Sequence, residues 1–369
     1  MNIDKKFFAI NLIFLSSCFF AIFYFSKQYS QHSIYSGKLL CLNRSEPHDN
    51  INLYDPSTNS IQQIYTTQNL ILKTLHISGQ IFSLEKTRLG ATQLQTISDT
   101  TNQVISLQNR FIHDIYPLPQ SQRLLLLTQE ALNINGQTQS ANAFKLELYN
   151  PKSRIFTDVF PQLPQPIHNL ITHPKYDIFV YKDTKEVAHY YDLNSKTQTI
   201  LGHTNYLYGF DQTGTQVLAH QNSPSTGIIT YPAFQIFQTN QQTKTFQQQT
   251  RYRDATLHQN LIYASKAYLT LSNSESLYQI VRIDLTENQL SETSLLNLPE
   301  FSLEYPQPST NLPLLAFEKI SRKSQHNLNF TNSRYLANTL RSYQSELIIY
   351  DLQHSTIQMT FPCRQPLWL

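Results

Sequence analysis

A chain of 369 residues has room for one large β domain or two ordinary ones, so repeats within it must decide the domain count. Only 14% of the residues are charged, whereas 22 Tyr and 21 Phe favour half-buried pleated surfaces over helices. A formal net charge of +3 over this length is too small to imply an electrostatic grip on nucleic acid, which needs a concentrated basic stripe, so no nucleic-acid partner is expected.

The first element in the chain is apolar. From Phe7 to Phe25 the sequence reads FFAINLIFLSSCFFAIFYF without a charge, preceded by Lys5 and Lys6 and followed by Ser26 and Lys27. As a helix it would reach about 28 Å, close to the hydrocarbon thickness of a bilayer. Residues 1–25 are therefore expected to be a signal anchor, one hydrophobic transmembrane helix whose lysines favour a cytoplasmic N-terminus and an exported body. Two alternatives stay open. Leu15-Ser16-Ser17-Cys18 resembles the lipobox of bacterial lipoproteins, in which Cys18 would be lipidated, and a cleaved signal peptide would release the chain altogether. All three readings export the remainder; the first makes this a single-pass protein of a bacterial inner membrane with its body in the periplasm.

A polar linker over residues 26–36 leads into a body that repeats one phrase: apolar strand, tight polar turn, second strand. It is clearest in NLYDPSTNSI (Asn52 to Ile61), ELYNPKSRI (Glu147 to Ile155), YYDLNSKTQTI (Tyr190 to Ile200), VRIDLTENQL (Val281 to Leu290) and IIYDLQHSTI (Ile348 to Ile357). Weaker copies are LQTISDTTNQVI (Leu94 to Ile105) and FQIFQTNQQTKTF (Phe234 to Phe246). Asp or Asn followed by Pro, Ser, Thr and Asn is turn chemistry, because these side chains bond nearby backbone groups and tolerate turn dihedrals. The turn positions are Asp55, Ser98, Asn150, Asp192, Gln238, Asp284 and Asp351, at a spacing of about 45 residues. That period predicts an all-β, seven-bladed β-propeller of four-stranded blades over residues 37–369.

Between the hairpins lie a strand, a turn rich in Pro, Gly, Asp or Asn, and a second strand, as in LITHPKYDIFVYKD, YGFDQTGTQVLAH and EYPQPSTNLPLLAFEK. HPKYDIFVY and DQTGTQVLA resemble the S-P-D-G-K-x-I-A-F turn of TolB-like and WD40-like propeller repeats. The resemblance covers residues 37–369 and implies a scaffold rather than a reaction, since propellers host unrelated activities.

The body opens at Gly37-Lys38-Leu39-Leu40-Cys41-Leu42, which reads as the second strand of a blade with no innermost strand before it. The tail CRQPLWL (Cys363 to Leu369) has the length and apolarity to supply that strand, completing the first blade from both ends of the chain. Cys363 or its neighbour would then lie opposite Cys41. A disulfide and two separate buried thiols both fit this placement, and Cα atoms more than ~7 Å apart would exclude the bond.

Three places attract a functional reading. FIHDIY, PIHNLI and TLHQNL put His113, His168 and His258 on innermost strands with Glu304 nearby in the seventh blade, a candidate metal set at the axis; equally, they are polar side chains of a hydrated channel. The longest interruption of the repeat, at about 318–345, carries Lys319, Arg322, Lys323, Arg334 and Arg341. There Tyr335, Leu336, Leu340 and Tyr343 add a small apolar face, so a docking role and a solvated loop compete. A second, polar insertion falls near Gln129 to Phe144. No nucleophile elbow, phosphate loop, dinucleotide fingerprint or C-x-x-C pair is present, and no cofactor is expected.

The leading expectation is a membrane-tethered scaffold of the cell envelope that binds another envelope protein. The rival is a propeller enzyme acting on a carbohydrate, lactone or peptide at the central channel. A funnel of titratable groups with displaced pKa values would favour the enzyme, and a carboxylate-poor channel beside an exposed apolar patch the scaffold.

Overall fold

The computed structural model describes residues 37–45, 48–77, 79–87, 90–98, 102–105, 110–134, 137–163, 167, 169–221, 233–238, 243–247, 252–270, 276–286, 289–321 and 345–369. The predicted anchor helix with Cys18, and the proposed docking residues Arg322, Lys323, Arg334, Tyr335, Leu336, Leu340, Arg341 and Tyr343, lie outside these residues, as does His168. No helix among the described residues is long and apolar enough to cross a membrane.

Seven four-stranded antiparallel sheets account for the body. In chain order, β1 (Leu39–Ser45), β2 (His48–Asp55) and β3 (Ser60–Thr67) belong to the first blade. The second contains β4 (Leu70–Ile77), β5 (Gln80–Lys86), β6 (Thr92–Ile97) and β7 (Gln103–Ile105). The third has β8 (Arg110–Leu118), β9 (Arg123–Ile134), β10 (Gln137–Asn150) and β11 (Ile155–Leu163). The fourth has β12 (Leu170–Thr172), β13 (Ile178–Lys182), β14 (Val187–Asp192) and β15 (Thr197–His203). The fifth has β16 (Tyr206–Phe210), β17 (Gln216–Gln221), β18 (Ala233–Gln238) and β19 (Thr243–Gln247). The sixth has β20 (Tyr252–His258), β21 (Leu261–Thr270), β22 (Ser276–Thr286) and β23 (Gln289–Leu296). The seventh has β24 (Phe301–Pro308), β25 (Leu314–Ser321), β26 (Ser345–Asp351) and β27 (Thr356–Pro362). The last strand, β28 (Arg364–Trp368), returns to the first blade, whose order is β28-β1-β2-β3.

Each turn residue singled out in the repeat stands at or beside the end of a third strand, and the reason is local. Asp55 Oδ1 accepts hydrogen bonds from the backbone N–H and the hydroxyl of Ser57. Asn150, Asp192 and Asp351 likewise accept from backbone N–H groups two and three residues on. Four residues past each of these four side chains, Asn59, Arg154, Lys196 and Ser355 take positive φ of 51° to 58°, which carries the chain back into the fourth strand.

The core is divided among the blade interfaces. Seven clusters of buried apolar side chains each join two consecutive blades, from Leu84 and Leu126 between the second and third to Leu39 and Leu347 between the first and seventh. Full burial of each Leu, Ile or Phe contributes about 1.5–3 kcal/mol, so the ring is held by contacts that no single blade can make alone.

Closure joins the two ends. β28 pairs antiparallel with β1 through Leu39 with Trp368, Leu40 with Leu367 and Leu42 with Arg364, with an irregularity at Cys41. Cys41 and Cys363 are bonded as a disulfide, with Cα atoms 5.8 Å apart and a sequence separation of 322. The Gly37 N–H donates to the Leu369 carbonyl and the Leu369 N–H to that of Lys38, each at 2.9 Å.

The polar insertion near Gln129 to Phe144 lengthens the β9–β10 pair, whose partners run out to Ile134 and Gln137 with an irregularity between Ser140 and Phe144. One reading of the sequence needs correction. Glu318 and Lys319 are not loop residues: β25 continues to Ser321, and Glu318 is buried within it.

Candidate functional site

In a four-stranded antiparallel blade the fourth strand ends at the end where the first begins. The chain therefore passes to the next blade on one face, and all seven innermost strands start there. These are β4, β8, β12, β16, β20, β24 and β28, the strands through which consecutive blades meet at the axis. The connections between second and third strands leave from the same face, including the one spanning 322–344. This face is the mouth; the opposite face carries the tight turns.

Charged and aromatic side chains crowd the inner strands. On one side Lys73 Nζ lies 2.7 Å from Asp114 Oδ1 and 4.1 Å from the centre of the Tyr116 ring, while the Tyr116 hydroxyl donates to Asp114 Oδ2 at 2.7 Å. Burial and the Asp114 charge push the Tyr116 phenol above its ordinary range. Next along the wall, Tyr206 and Tyr208 pack edge to face at 5.2 Å, with Tyr206 49% exposed. Burial raises both phenols, and the Asp254 carboxylate raises them further.

The far wall belongs to the sixth and seventh blades. Arg253 and Asp254 stand near the start of β20, and Glu304 and Tyr305 follow in β24. Register between β24 and β25 shifts from Glu304 to Gln307, and within that bulge Tyr305 has φ 55°, a region a bulky side chain seldom occupies. The bulge is clamped from both sides. The Thr256 hydroxyl donates to the Pro306 carbonyl at 2.7 Å, and the Trp368 indole N–H to that of Gln307 at 2.8 Å. Tyr305 thereby stays 42% exposed while its neighbour Glu304 is buried.

Glu304 Oε1 accepts from an Arg253 guanidinium nitrogen at 2.8 Å and from Ser302 Oγ at 2.9 Å. Its other oxygen is buried without a hydrogen-bond partner among the described residues, and so is Asp254 Oδ2, which lies 4.0 Å from Arg253 Nε. Burial, reinforced by the Glu304 charge, pushes Asp254 up to about 7 against the pull of Arg253 and the Tyr305 N–H. Burial raises Glu304 as well, opposed by Arg253 and Ser302. Directly across the ladder from Glu304 stands Glu318, raised by burial and opposed by Arg364 and by the Gln365 N–H, which donates to it at 2.7 Å.

Of the proposed axial metal set, His113, His258 and Glu304 are described, and the two histidines stand at different depths. His258 is the last residue of β20, at the end away from the mouth, whereas His113 is the fourth residue of β8 and bonds Gln129 at 2.6 Å. Matching the three histidine phrases by local pattern therefore misjudged their depth. Among the described residues no three His, Cys, Asp or Glu side chains gather to hold a metal ion. Glu304 does belong to the mouth, as an ion-pair partner. Lys73, Asp114, Tyr206, Tyr208, Arg253, Asp254 and Tyr305 were missed, although HDIY, YLYGF, YRDA and LEYP set a charge or a Tyr near the start of four inner strands.

Fold and site together define a closed seven-bladed β-propeller with a charged, tyrosine-rich mouth. No known protein family and no curated protein matches the sequence. Solved structures do match. The β-propeller domain of the Trilobed protease from Pyrococcus furiosus superposes with a TM-score of 0.55 at 8% identity, over 88% of this chain and 94% of that one. Dihydro-heme d1 dehydrogenase NirN matches with a TM-score of 0.53 at 9% identity, over 90% of this chain and 74% of that one. TolB from Acinetobacter baumannii matches with a TM-score of 0.45 at 13% identity, over 70% of this chain and 66% of that one. The β-propeller fold expected from the repeat is the one shared with the Pyrococcus domain and NirN. The Pyrococcus domain is described as having an open velcro topology, whereas β28 and the disulfide close this ring.

Proposed function

We propose that this protein is a non-catalytic binding module of the bacterial cell envelope, held at the membrane by its N-terminal hydrophobic segment and docking another envelope protein on its mouth. The observation that carries this reading is the presence of exposed Tyr206 and Tyr305 beside Arg253, residue types enriched at protein-binding surfaces. The disulfide supports an exported location, since such bonds persist in oxidising compartments. Ser321 and Ser345, the described residues on either side of the basic segment at 322–344, end β25 and begin β26 on this face.

A wall of titratable groups with displaced pKa values, the feature that would favour the enzyme, is present in Tyr206, Tyr208, Asp254, Glu304, Tyr305 and Glu318. Asp254, raised to about 7, has the protonation range of a general base and sits among other displaced groups. Its neighbours argue for binding: Glu304 is engaged by Arg253 and Ser302, and Glu318 by the backbone of Gln365.

Photocrosslinking residues placed at 206, 305 and 176 in intact membranes test the docking reading. Tyr176 is 51% exposed on a turn of the opposite face. The same adduct is expected from 206 and 305 and none from 176; capture from 176 alike, or from no position, contradicts it. Deleting residues 322–343 tests the basic segment separately, since an unchanged adduct removes it from the docking surface.

A further inference from the structure

The mouth is short of positive charge at one wall. Asp254, Glu304 and Glu318 face Arg253 and Arg364, while Arg44, which also acts on Glu318, is paired with a fourth carboxylate, Asp49. Glu304 is 1% exposed and keeps one oxygen without a hydrogen bond, although burying a carboxylate oxygen in that state is costly. Asp254 on the adjacent inner strand has the same defect. Glu85, elsewhere in this molecule, is built differently and accepts from five side chains.

We infer that the Asp254–Glu304 wall receives a cationic group of the docked protein, a lysine or arginine side chain, with Tyr206 and Tyr305 flanking it. The inference rests on the docking reading above and names what that partner presents. Before docking, a proton on Asp254 stands in for the missing cation. The ammonium or guanidinium replaces it, the carboxylate becomes charged, and the proton leaves to solvent. Arg253 does not fill this role, because its guanidinium is committed to Glu304 Oε1 and reaches Asp254 only at 4.0 Å. The groups around Asp254 are Arg253 on its own strand, Tyr206 and Tyr208 on β16, Tyr278 on β22, and Glu304, Tyr305 and Glu318 from the seventh blade. On β21, Lys266 is tied to Glu292, which also accepts from Tyr252. No unpaired base among the described residues therefore competes at this wall.

The test uses the purified full-length chain and N-acetylated, C-amidated octapeptides of Gly, Ser and Tyr that differ at one position, carrying Lys, Arg, norleucine or Glu. Binding is measured by calorimetry at pH 6 and pH 8. Lysine and arginine peptides are expected to bind at least about 10-fold tighter than norleucine or Glu peptides at pH 8. That preference is expected to shrink by about 10-fold at pH 6, where Asp254 is mostly protonated. Asp254→Asn is expected to abolish both the preference and its pH dependence while melting as a folded protein. Equal binding of lysine and norleucine peptides, no binding of either, or a preference that survives Asp254→Asn overturns the inference. The crosslinks at 206, 305 and 176 report on docking independently, so a partner captured at the mouth with no preference for cations leaves the docking reading standing and this one refuted.

Discussion

Two buried carboxylates of this propeller are built in opposite ways. Glu85, in the second blade, is fully buried, and its two oxygens accept from Tyr65, Thr67, Asn69, Ser83 and Gln93 at 2.8 to 3.2 Å. Glu304, in the seventh, is as deeply buried but is half satisfied, one oxygen held by Arg253 and Ser302 and the other bare. A satisfied polar network rigidifies the scaffold, and an incomplete one stores a demand for a partner. The difference separates the part of the ring that holds the first and second blades together from the part prepared to meet something else.

Isosteric substitutions sharpen this contrast most. Glu85→Gln puts an amide N–H₂ against incoming donors whichever way it turns, and should cost about 3 kcal/mol in urea unfolding. Asp254→Asn should act in the other direction and only at high pH. With its native pKa raised to about 7 from 3.8, the native state binds the extra proton between those values, so stability falls as pH rises from 4 to 7 and the loss is complete above. Removing the charge should therefore stabilise the protein by up to about 4 kcal/mol at pH 8, the gain vanishing near pH 4. Glu304→Gln should have the smallest effect, below about 1 kcal/mol, because the amide can face the bare side while its oxygen keeps Arg253 and Ser302. Equal losses at Glu85 and Glu304 would break the comparison.

Most of the architecture was legible because its determinants are local. Asp55, Asn150, Asp192 and Asp351 write their turns within four residues, and their side chains make in the structure the backbone bonds that turn chemistry predicts. The turns HPKYD and DQTG are legible for a further reason that only the structure supplies. His173 of one blade accepts from the Lys175 and Tyr176 N–H groups and lies so close to Gly214 of the next that a Cβ there would fall 1.9 Å from its ring nitrogen. Gly214, at φ 80°, is thus required twice over. The tail could be matched to a missing inner strand by its length and apolarity, but whether Cys41 and Cys363 were bonded depended on a Cα separation that no spacing reveals.

The mouth was harder. Arg253 and Glu304 meet across 51 residues, and Lys73 meets Asp114 across 41. Such pairs follow from the relative depth of neighbouring blades, which bulges alter one residue at a time, as at Ile112 to Asp114 in β8 and Glu304 to Gln307 in β24. The same uncertainty in depth turned His113 and His258 into apparent neighbours. What the sequence offered was coarser: a charge or a tyrosine recurring near the start of inner strands.

The central claim is that the mouth wall carries a carboxyl group whose charge the protein leaves uncompensated. The most direct measurement is a carbon-13 titration of the Asp254 side-chain carboxyl, assigned with Asp254→Asn, in the presence and absence of the lysine octapeptide. The account predicts a midpoint near 7 that falls when the peptide binds. A midpoint near the ordinary aspartate value, unmoved by peptide, would contradict it.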